Sequence, residues 1–172
     1  ASLDEVIGQE HLLGEQGPLR SFFATGIFPS IILWGPPGVG KTTLALLMAQ
    51  RAEYHFTRIS AIEAGVKEVR EIITQAKRLR RQGQRVLLFI DEIHRFNKSQ
   101  QDALLHAVET GIITLIGATT ENPSFEVNAA LLSRCRVYRL QSLTDEHIRA
   151  ILEQALHNDP VLKTLDIEVR DW

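Results

Sequence analysis

A glycine-rich loop that carries a lysine and a hydroxyl at fixed spacing is the part of this chain best suited to chemistry. Residues 35–42 read Gly-Pro-Pro-Gly-Val-Gly-Lys-Thr and lie between the apolar run 31–34 and a segment with helical spacing. Glycines allow successive backbone N–H groups to surround an anion, and the following helix directs its positive dipole end to the same point. This setting predicts a nucleoside triphosphate site, with Lys41 on the β- and γ-phosphates and the Thr42 hydroxyl on Mg²⁺. The predicted phosphate-binding residues are Gly35, Pro36, Pro37, Gly38, Val39, Gly40, Lys41, Thr42 and Thr43.

Two carboxylates follow a second apolar run. Residues 86–90 are apolar without alternation, which is typical of a strand buried on both faces, and Asp91 and Glu92 come directly after them. Ligands of open α/β sheets gather at the carboxyl ends of the strands, so we expect this pair beside the phosphate loop. Asp91 would hold Mg²⁺ through water, and Glu92 would polarise the attacking water as general base. The alternative, a pair that merely opens a turn, is disfavoured by the presence of the phosphate loop.

Bulk properties set limits on the function. The 172 residues suit one domain, with room for the start of a second, and the net charge of −2 shows no global basic bias toward nucleic acid. The single cysteine, Cys135, excludes an intrachain disulfide and suits a reducing compartment. No apolar run is long enough to span a membrane, and no signal peptide is visible at the start of the sequence, so we expect no membrane partner.

Strand and helix patterns alternate along the chain. They predict an α/β fold, a five-stranded, doubly wound, largely parallel sheet with helices on both faces. The predicted strands are 31–34, 54–59, 86–90, 112–116 and 136–140. We expect residues 99–102 to form a capping box, and residues 1–141 to form the nucleotide-binding domain. Residues 142–172 open with an amphipathic helix and are expected to be the beginning of a truncated helical lid domain.

Two longer blocks carry a family resemblance. Together with the Pro-Pro-containing phosphate loop, Thr119-Thr120 and Ser133-Arg134-Cys135 resemble AAA+ ATPases, closest to clamp loaders and the Holliday-junction branch-migration motor. Blocks 91–102 (DEIHRFNKSQQD) and 117–125 (GATTENPSF) are similar to the replication-associated recombination protein A family, also called MgsA, which includes the Werner-helicase-interacting protein. The match covers nearly the whole chain, as an N-terminal ATPase-domain fragment.

The resemblance implies roles for individual residues. Thr120 matches the first sensor, a polar side chain that reports the γ-phosphate, and Thr119 is the neighbouring candidate. Arg134 matches an arginine finger that reaches the site of a neighbouring subunit. Val6 and Ile7 lie in the segment that resembles the one holding the adenine ring.

The resemblance also implies an activity and partners. It implies an ATPase that uses ATP and Mg²⁺ and acts on single-stranded, gapped or forked DNA during replication-fork maintenance, recombination and repair. DNA stimulation, a homo-tetramer of the full-length protein, and contact with single-strand-binding protein or a helicase are implied with it. The location would be cytoplasmic and nucleoid-associated in bacteria, or nuclear in eukaryotes.

Several alternatives stay open. A clamp-loader-like scaffold would bind nucleotide and hydrolyse little, and a kinase or transporter ATPase would share the phosphate loop. The basic run Lys77, Arg78, Arg80, Arg81 and Arg85 is better explained as a solvated helix face than as a DNA contact. His94 lacks a second histidine at ligand spacing, so it is a weak metal ligand. Ser60 directly follows the second predicted strand, at its end, where it could hold Glu92 inactive.

Overall fold

The chain folds around one parallel sheet. A computed structural model describes residue 3 and residues 6–162. The strands are β1 (Ile31–Trp34), β2 (His55–Ser60), β3 (Val86–Asp91), β4 (Thr114–Thr119) and β5 (Arg136–Arg139). They are ordered β2-β3-β4-β1-β5, and every neighbouring pair is parallel. The predicted α/β class and five-stranded parallel sheet are therefore confirmed.

Helices connect the strands and cover both faces of the sheet. The helices are α1 (Glu10–Leu13), α2 (Arg20–Thr25), α3 (Lys41–Ala52), α4 (Val66–Arg81), α5 (Lys98–Glu109), α6 (Pro123–Glu126), α7 (Ala129–Leu132) and α8 (Asp145–Asn158), with a 3₁₀ turn at Ile93–Arg95. Apolar residues of α4 and α5 pack in one core with one face of the sheet, and those of α1, α2 and α3 pack in a second core with the other face. The sheet is thus doubly wound, as the alternating pattern predicted.

β3 shows why the run without alternation was informative. Leu88 and Ile90 belong to one core cluster, whereas Leu87 and Phe89 belong to the other. All four side chains are fully buried because helices cover both faces of this interior strand. The strand therefore carries its last residue, Asp91, to a half-buried position at the edge of the sheet where the parallel strands end.

The strand order places the ends of β1, β3 and β4 side by side. β4 lies between β1 and β3, and its register pairs Trp34 with Thr119 and Ile90 with Gly117. Gly117 is required for close packing, since a Cβ there would lie 2.7 Å from Ile32 Cδ1 and 2.8 Å from Ile93 Cδ1. The loops after these three strands consequently leave the sheet as neighbours.

Two local predictions differ from the structure. The capping box of α5 is formed by Asn97 and Gln100, which exchange hydrogen bonds of 2.9 and 3.0 Å, and the box predicted at residues 99–102 is wrong. Because Asn97 is the N-cap, α5 begins at Lys98 and Ser99 already lies in its first turn. β4 begins at Thr114 instead of residue 112, because Ile112 and Ile113 close the α5–β4 turn by hydrogen bonds to Ala107.

The helix after the sheet stands apart from the core. α8 starts with a capping box between Thr144 and His147, yet none of its residues is buried, and Ile148, Ile151 and Leu152 are exposed. The part of the predicted lid at 163–172 lies outside the described residues, so the domain boundary at 141 stays a prediction. No helix within the described part of the chain is long and apolar enough to cross a membrane.

Candidate active site

The glycine-rich loop connects β1 to α3 through backbone that glycine favours. Gly38 and Gly40 have φ angles of 76° and 96°, in the left-handed region where a side chain is strained. An added Cβ would meet nothing within 4 Å at either position, so the conformation and not the space requires glycine. Gly40 is also the N-cap of α3, whose first residue is Lys41. The loop thus delivers its backbone and a helix N-terminus to one point.

Gly35 closes the loop against the neighbouring strands. Its N–H donates to the carbonyl of Thr119 over 3.1 Å, and a Cβ on it would lie 2.6 Å from the carbonyl oxygen of Leu140. The start of the loop is therefore held between the ends of β4 and β5, so its position relative to the sheet is set by backbone contacts.

Lys41 is a buried cation within this loop. Its side chain is largely shielded, and Nζ donates to the carbonyls of Gly35 and Pro36, both over 2.7 Å. Burial lowers the pKa of Lys41, while the negative charges of Glu92 and Asp91 act in the opposite direction. An anion placed beside Nζ would relieve the cost of that burial.

One cavity joins the loop to the acidic pair. Its volume is about 350 Å³. It is lined by Pro37, Gly38, Gly40, Lys41, Thr42, Thr43, Asp91, Glu92 and Thr120. Six of the nine predicted phosphate-loop residues therefore face the same space as Asp91, Glu92 and Thr120, whereas Gly35, Pro36 and Val39 do not line it. The lining residues come from three separate loops.

Asp91 and Thr42 supply oxygen atoms to this cavity. Asp91 Oδ1 accepts from the N–H of Glu92 over 3.2 Å, and Oδ2 lies 3.3 Å from Arg58 Nη2. No group of three or more His, Cys, Asp or Glu side chains within the described ranges is arranged to hold a metal. A hydroxyl and a carboxylate beside a phosphate site suit Mg²⁺, which keeps most of its water and takes few protein ligands. The residues present therefore fit this ion.

Glu92 has an unusual backbone. Its φ of 53° and ψ of 43° place it in the left-handed region, and it caps the 3₁₀ turn Ile93–Arg95. Glu53 is the other described residue besides glycine with positive φ. Such conformations are costly for a side chain with a Cβ and concentrate at functional sites. The turn directs Glu92 Oε2 to within 3.3 Å of His94 Nδ1.

The two threonines at the end of β4 differ in their surroundings. Thr119 is fully buried, and its Oγ1 lies 2.9 Å from His94 Nδ1 and accepts from the N–H of Glu121 over 3.0 Å. Thr120 is half-buried and lines the cavity. Of these two residues, Thr120 is thus the one with access to a bound nucleotide.

Arg134 does not line this cavity. Its Nη2 donates to Glu109 Oε1 over 2.9 Å, and its Nη1 donates to the Ala130 carbonyl over 2.8 Å. The guanidinium lowers the pKa of Glu109 through this hydrogen bond and its charge. The side chain therefore lies on the outer surface, bound to its own chain.

Val6 and Ile7 are half-buried near the start of the described region, and Val6 packs against the second core. Neither lines the cavity. The segment is nevertheless attached to the phosphate loop, because Gln9 Nε2 donates to the carbonyl of Val39 over 3.4 Å. The two residues thus lie in a segment anchored beside the loop.

Comparison with known proteins identifies the family. The profile of the AAA family, ATPases associated with various cellular activities, matches residues 31–143. The chain belongs to the AAA family. The matched range begins at β1 and ends between β5 and α8, so it contains the phosphate loop, the acidic pair, Thr120 and Arg134.

Curated relatives confirm the more specific resemblance. Replication-associated recombination protein A of Haemophilus influenzae is 55% identical over 91% of this AAA chain, and the Escherichia coli protein of the same name is 56% identical over the same share. The ATPase WRNIP1 of Dictyostelium discoideum is 49% identical over 93% of the chain. The match covers 35% of each bacterial relative and 18% of the Dictyostelium protein, so the chain spans about a third of the bacterial relatives' length.

Solved structures agree on the fold. The Thermotoga maritima RuvB Holliday junction branch migration motor superposes with a TM-score of 0.76 and 31% identity. The alignment covers 97% of this AAA chain and 55% of the RuvB chain. The similarity therefore extends beyond the sheet to nearly all of the chain.

Sequence reasoning missed three contacts within this AAA site. Arg58 reaches Asp91, His94 joins Glu92 to Thr119, and the Gln9 amide contacts both the phosphate loop and Gln141. Strand alternation could have placed Arg58 near Asp91, because Arg58 and Ser60 lie on the same face of β2 and Ser60 is in register with Asp91. The other two contacts depend on side chains in irregular backbone, which no periodicity marks.

Proposed function

We propose that this AAA domain binds ATP with Mg²⁺ and hydrolyses ATP to ADP and phosphate as part of a protein that acts on DNA. The observation that carries the proposal is the shared cavity, in which the phosphate loop faces Asp91, Glu92 and Thr120. Phosphoryl transfer to water requires a loop for phosphates, an oxygen-rich edge for a cation and a carboxylate that can accept a proton from water.

Each side chain at the cavity has one role. The loop amides and Lys41 hold the β- and γ-phosphates, and Thr42, together with Asp91 through water, holds Mg²⁺. The ion, when bound, offsets charge on the phosphate oxygens. Glu92 takes a proton from the attacking water, and Thr120 contacts the γ-phosphate. Val6 and Ile7 contact the adenine.

Arg134 is proposed to act on a neighbouring subunit. Its surface position, outside the cavity of its own chain, supports a role in trans. To reach another site it must exchange Glu109 for a phosphate oxygen. Exposed ion pairs are weak, about 0–1 kcal/mol, so the exchange is energetically accessible. Hydrolysis would then depend on an oligomer, which we propose is a tetramer of the full-length protein.

We place the DNA-contacting surface, which the sequence alone disfavoured, on one face of α4, because contacts divide the basic run into a structural part and an exposed part. Of the predicted basic run, Arg80 donates to the Thr110 carbonyl over 2.9 Å and Arg85 donates to the Tyr54 hydroxyl over 3.0 Å, so both have structural partners. The remaining three, Lys77, Arg78 and Arg81, are exposed on one face. Lys67 and Arg70 extend that face along the helix, where cations repeated across an oligomer would attract phosphate backbones.

The names of the relatives support a task in replication and recombination. We propose single-stranded, gapped or forked DNA as the substrate, with single-strand-binding protein or a helicase as partner. The location would be the bacterial nucleoid or a eukaryotic nucleus.

Two substitutions in the full-length protein test hydrolysis. Lys41→Ala should abolish ATP binding, because it removes the buried cation of the loop. Glu92→Gln should retain ATP binding and lose turnover by at least about a hundredfold, because an amide cannot accept the proton. Lys77→Ala, outside the cavity, is the control for turnover without DNA. Full turnover by the Glu92→Gln variant would overturn the general-base assignment.

The alternative of a nucleotide-binding scaffold predicts a different result. A scaffold would bind ATP and release little phosphate with any DNA, both as the parent and as the Glu92→Gln variant. Phosphate release measured with single-stranded, gapped and forked DNA therefore separates the two functions. The presence of Glu92 in the cavity favours the ATPase.

A further inference from the structure

A buried histidine connects the acidic pair to the end of β4. His94 Nδ1 lies 3.3 Å from Glu92 Oε2 and 2.9 Å from Thr119 Oγ1, and its side chain is only 7% exposed. One ring nitrogen thus contacts two segments that both contribute to the cavity. We call this pair of contacts the His94 bridge.

The neighbours of Nδ1 determine where the hydrogen atoms lie. A carboxylate can only accept, so contact with Glu92 requires a hydrogen on Nδ1. Thr119 Oγ1 then accepts from Nδ1 and from the N–H of Glu121 over 3.0 Å, and its own hydrogen points to the Glu121 carbonyl, 3.2 Å away. In this arrangement Nδ1 and the Thr119 hydroxyl both have partners, and the Nδ1 hydrogen is shared between Thr119 Oγ1 and Glu92 Oε2.

The imidazole is held in place by tight packing. His94 lies in the middle of the 3₁₀ turn that starts after Glu92, and the preceding Ile93 is fully buried. Ile93 packs so closely on Gly117 that no Cβ fits between them. The turn is therefore fastened to β4 by an apolar contact at Ile93 and a polar contact at His94. A rigid donor orients its acceptor better than a mobile one does.

We propose that His94 is a positioning residue that fixes the Glu92 carboxylate for its work as general base and ties it to the strand end that carries Thr120. The proposal rests on the proposed function. The Nδ1 hydrogen, whose shorter contact is with Thr119 Oγ1, also faces Oε2 at 3.3 Å and attracts it, which leaves Oε1 to accept from the attacking water. Because Thr119 directly precedes Thr120, a shift of the Thr120 backbone also moves Thr119 Oγ1, the oxygen in contact with His94 Nδ1.

Kinetics of the full-length protein test this role with four variants. His94→Phe preserves a ring and removes the donor, so kcat should fall about tenfold to a hundredfold while the Kd for ATP changes less than twofold. His94→Asn places an amide nitrogen where Nδ1 lies and should recover most of the loss. Thr119→Val should lower kcat by a smaller factor. Thr114→Val, at the other end of β4, should leave kcat unchanged.

The pattern of results separates the possible failures. Wild-type kcat in the His94→Phe variant, or equal loss in the Phe and Asn variants with unchanged melting temperatures, would overturn the positioning role. Retained turnover in the Glu92→Gln variant would instead overturn the general-base assignment on which the positioning role rests, and absence of turnover in the parent protein would overturn the proposed function. If His94→Phe lowers the melting temperature, single-turnover hydrolysis at a temperature where both proteins are folded still measures the rate of the chemical step, and an unchanged rate there overturns the role.

Discussion

The backbone at position 92 leads to a prediction about stability and activity together. Glu92 has φ 53° and ψ 43°, a conformation in which a residue with a Cβ is about 1–2 kcal/mol less stable than in the right-handed region. Glycine avoids this cost but loses more entropy on folding, about 0.5–1 kcal/mol. The free energy of unfolding of the Glu92→Gly variant should therefore be about 0.5–1 kcal/mol higher than that of the Glu92→Ala variant. Both variants lose the carboxylate, so both should lose turnover equally.

Thermal and denaturant unfolding measure the difference. For a chain of this length about 1 kcal/mol corresponds to 2–4 °C, so the Glu92→Gly variant should melt about 1–4 °C above the Glu92→Ala variant. Glu53 provides a matched control far from the acidic pair, with φ 56° and ψ 35° at the end of α3. The same two substitutions there should show the same sign. Gln75, exposed within α4, should show the opposite sign, by about 1 kcal/mol, because glycine weakens a helix interior.

The stability of the variants at positions 92 and 53 decides whether the backbone of Glu92 is strained. If the Glu92→Ala variant is as stable as the Glu92→Gly variant while the Glu53 pair behaves as expected, the left-handed backbone at position 92 is not a source of strain. The proposal that the general base is held at a conformational cost would then be wrong, whatever the kinetics show.

Three further outcomes are expected. Arg58→Gln should lower the Mg²⁺ concentration for half-maximal hydrolysis up to about fivefold, because the guanidinium pairs with the Asp91 carboxylate; a Mg²⁺ titration with no shift would contradict this. Burial raises the pKa of Cys135 to about 12, so thiolate forms only at high pH. At pH 8 about one thiol in 10⁴ is ionised, and iodoacetamide should label the folded protein far more slowly than the unfolded one, with equal rates refuting the burial. Glu109→Gln should release Arg134 and raise DNA-stimulated turnover up to about fivefold in the full-length protein. In mixed oligomers this gain should fall in proportion to the fraction of subunits that carry Arg134→Ala.

Much of the site follows from the sequence because it depends on backbone topology. The apolar run 86–90 has no alternation, which required a central strand, and the carboxyl ends of parallel strands must share one edge. Those two facts bring Asp91 and Glu92 to Lys41 before any side chain is considered. Thr120 was predicted from the family resemblance alone, and the observed strand order, with β4 between β1 and β3, brings it beside the acidic pair.

Other features could not be predicted because they depend on particular rotamers and turns. The left-handed backbone of Glu92 has no sequence marker, since the residues that favour it are glycine and asparagine. The same turn aims His94 inward, which the sequence alone left as an isolated histidine. Asn97 and not Ser99 caps α5, and residue type alone could not decide between them because asparagine and serine are about equally good caps.

The Gln9 side chain connects the segment before α8 to the glycine-rich loop by hydrogen bonds. Its Nε2 and Oε1 form hydrogen bonds of 2.9 and 3.0 Å with the backbone of Gln141, just before α8, and Nε2 also reaches the Val39 carbonyl. Gly8 sits so near Leu143 and His147 that a Cβ there would overlap both. A displacement of α8 would therefore be transmitted to the glycine-rich loop through the hydrogen bonds of the Gln9 amide.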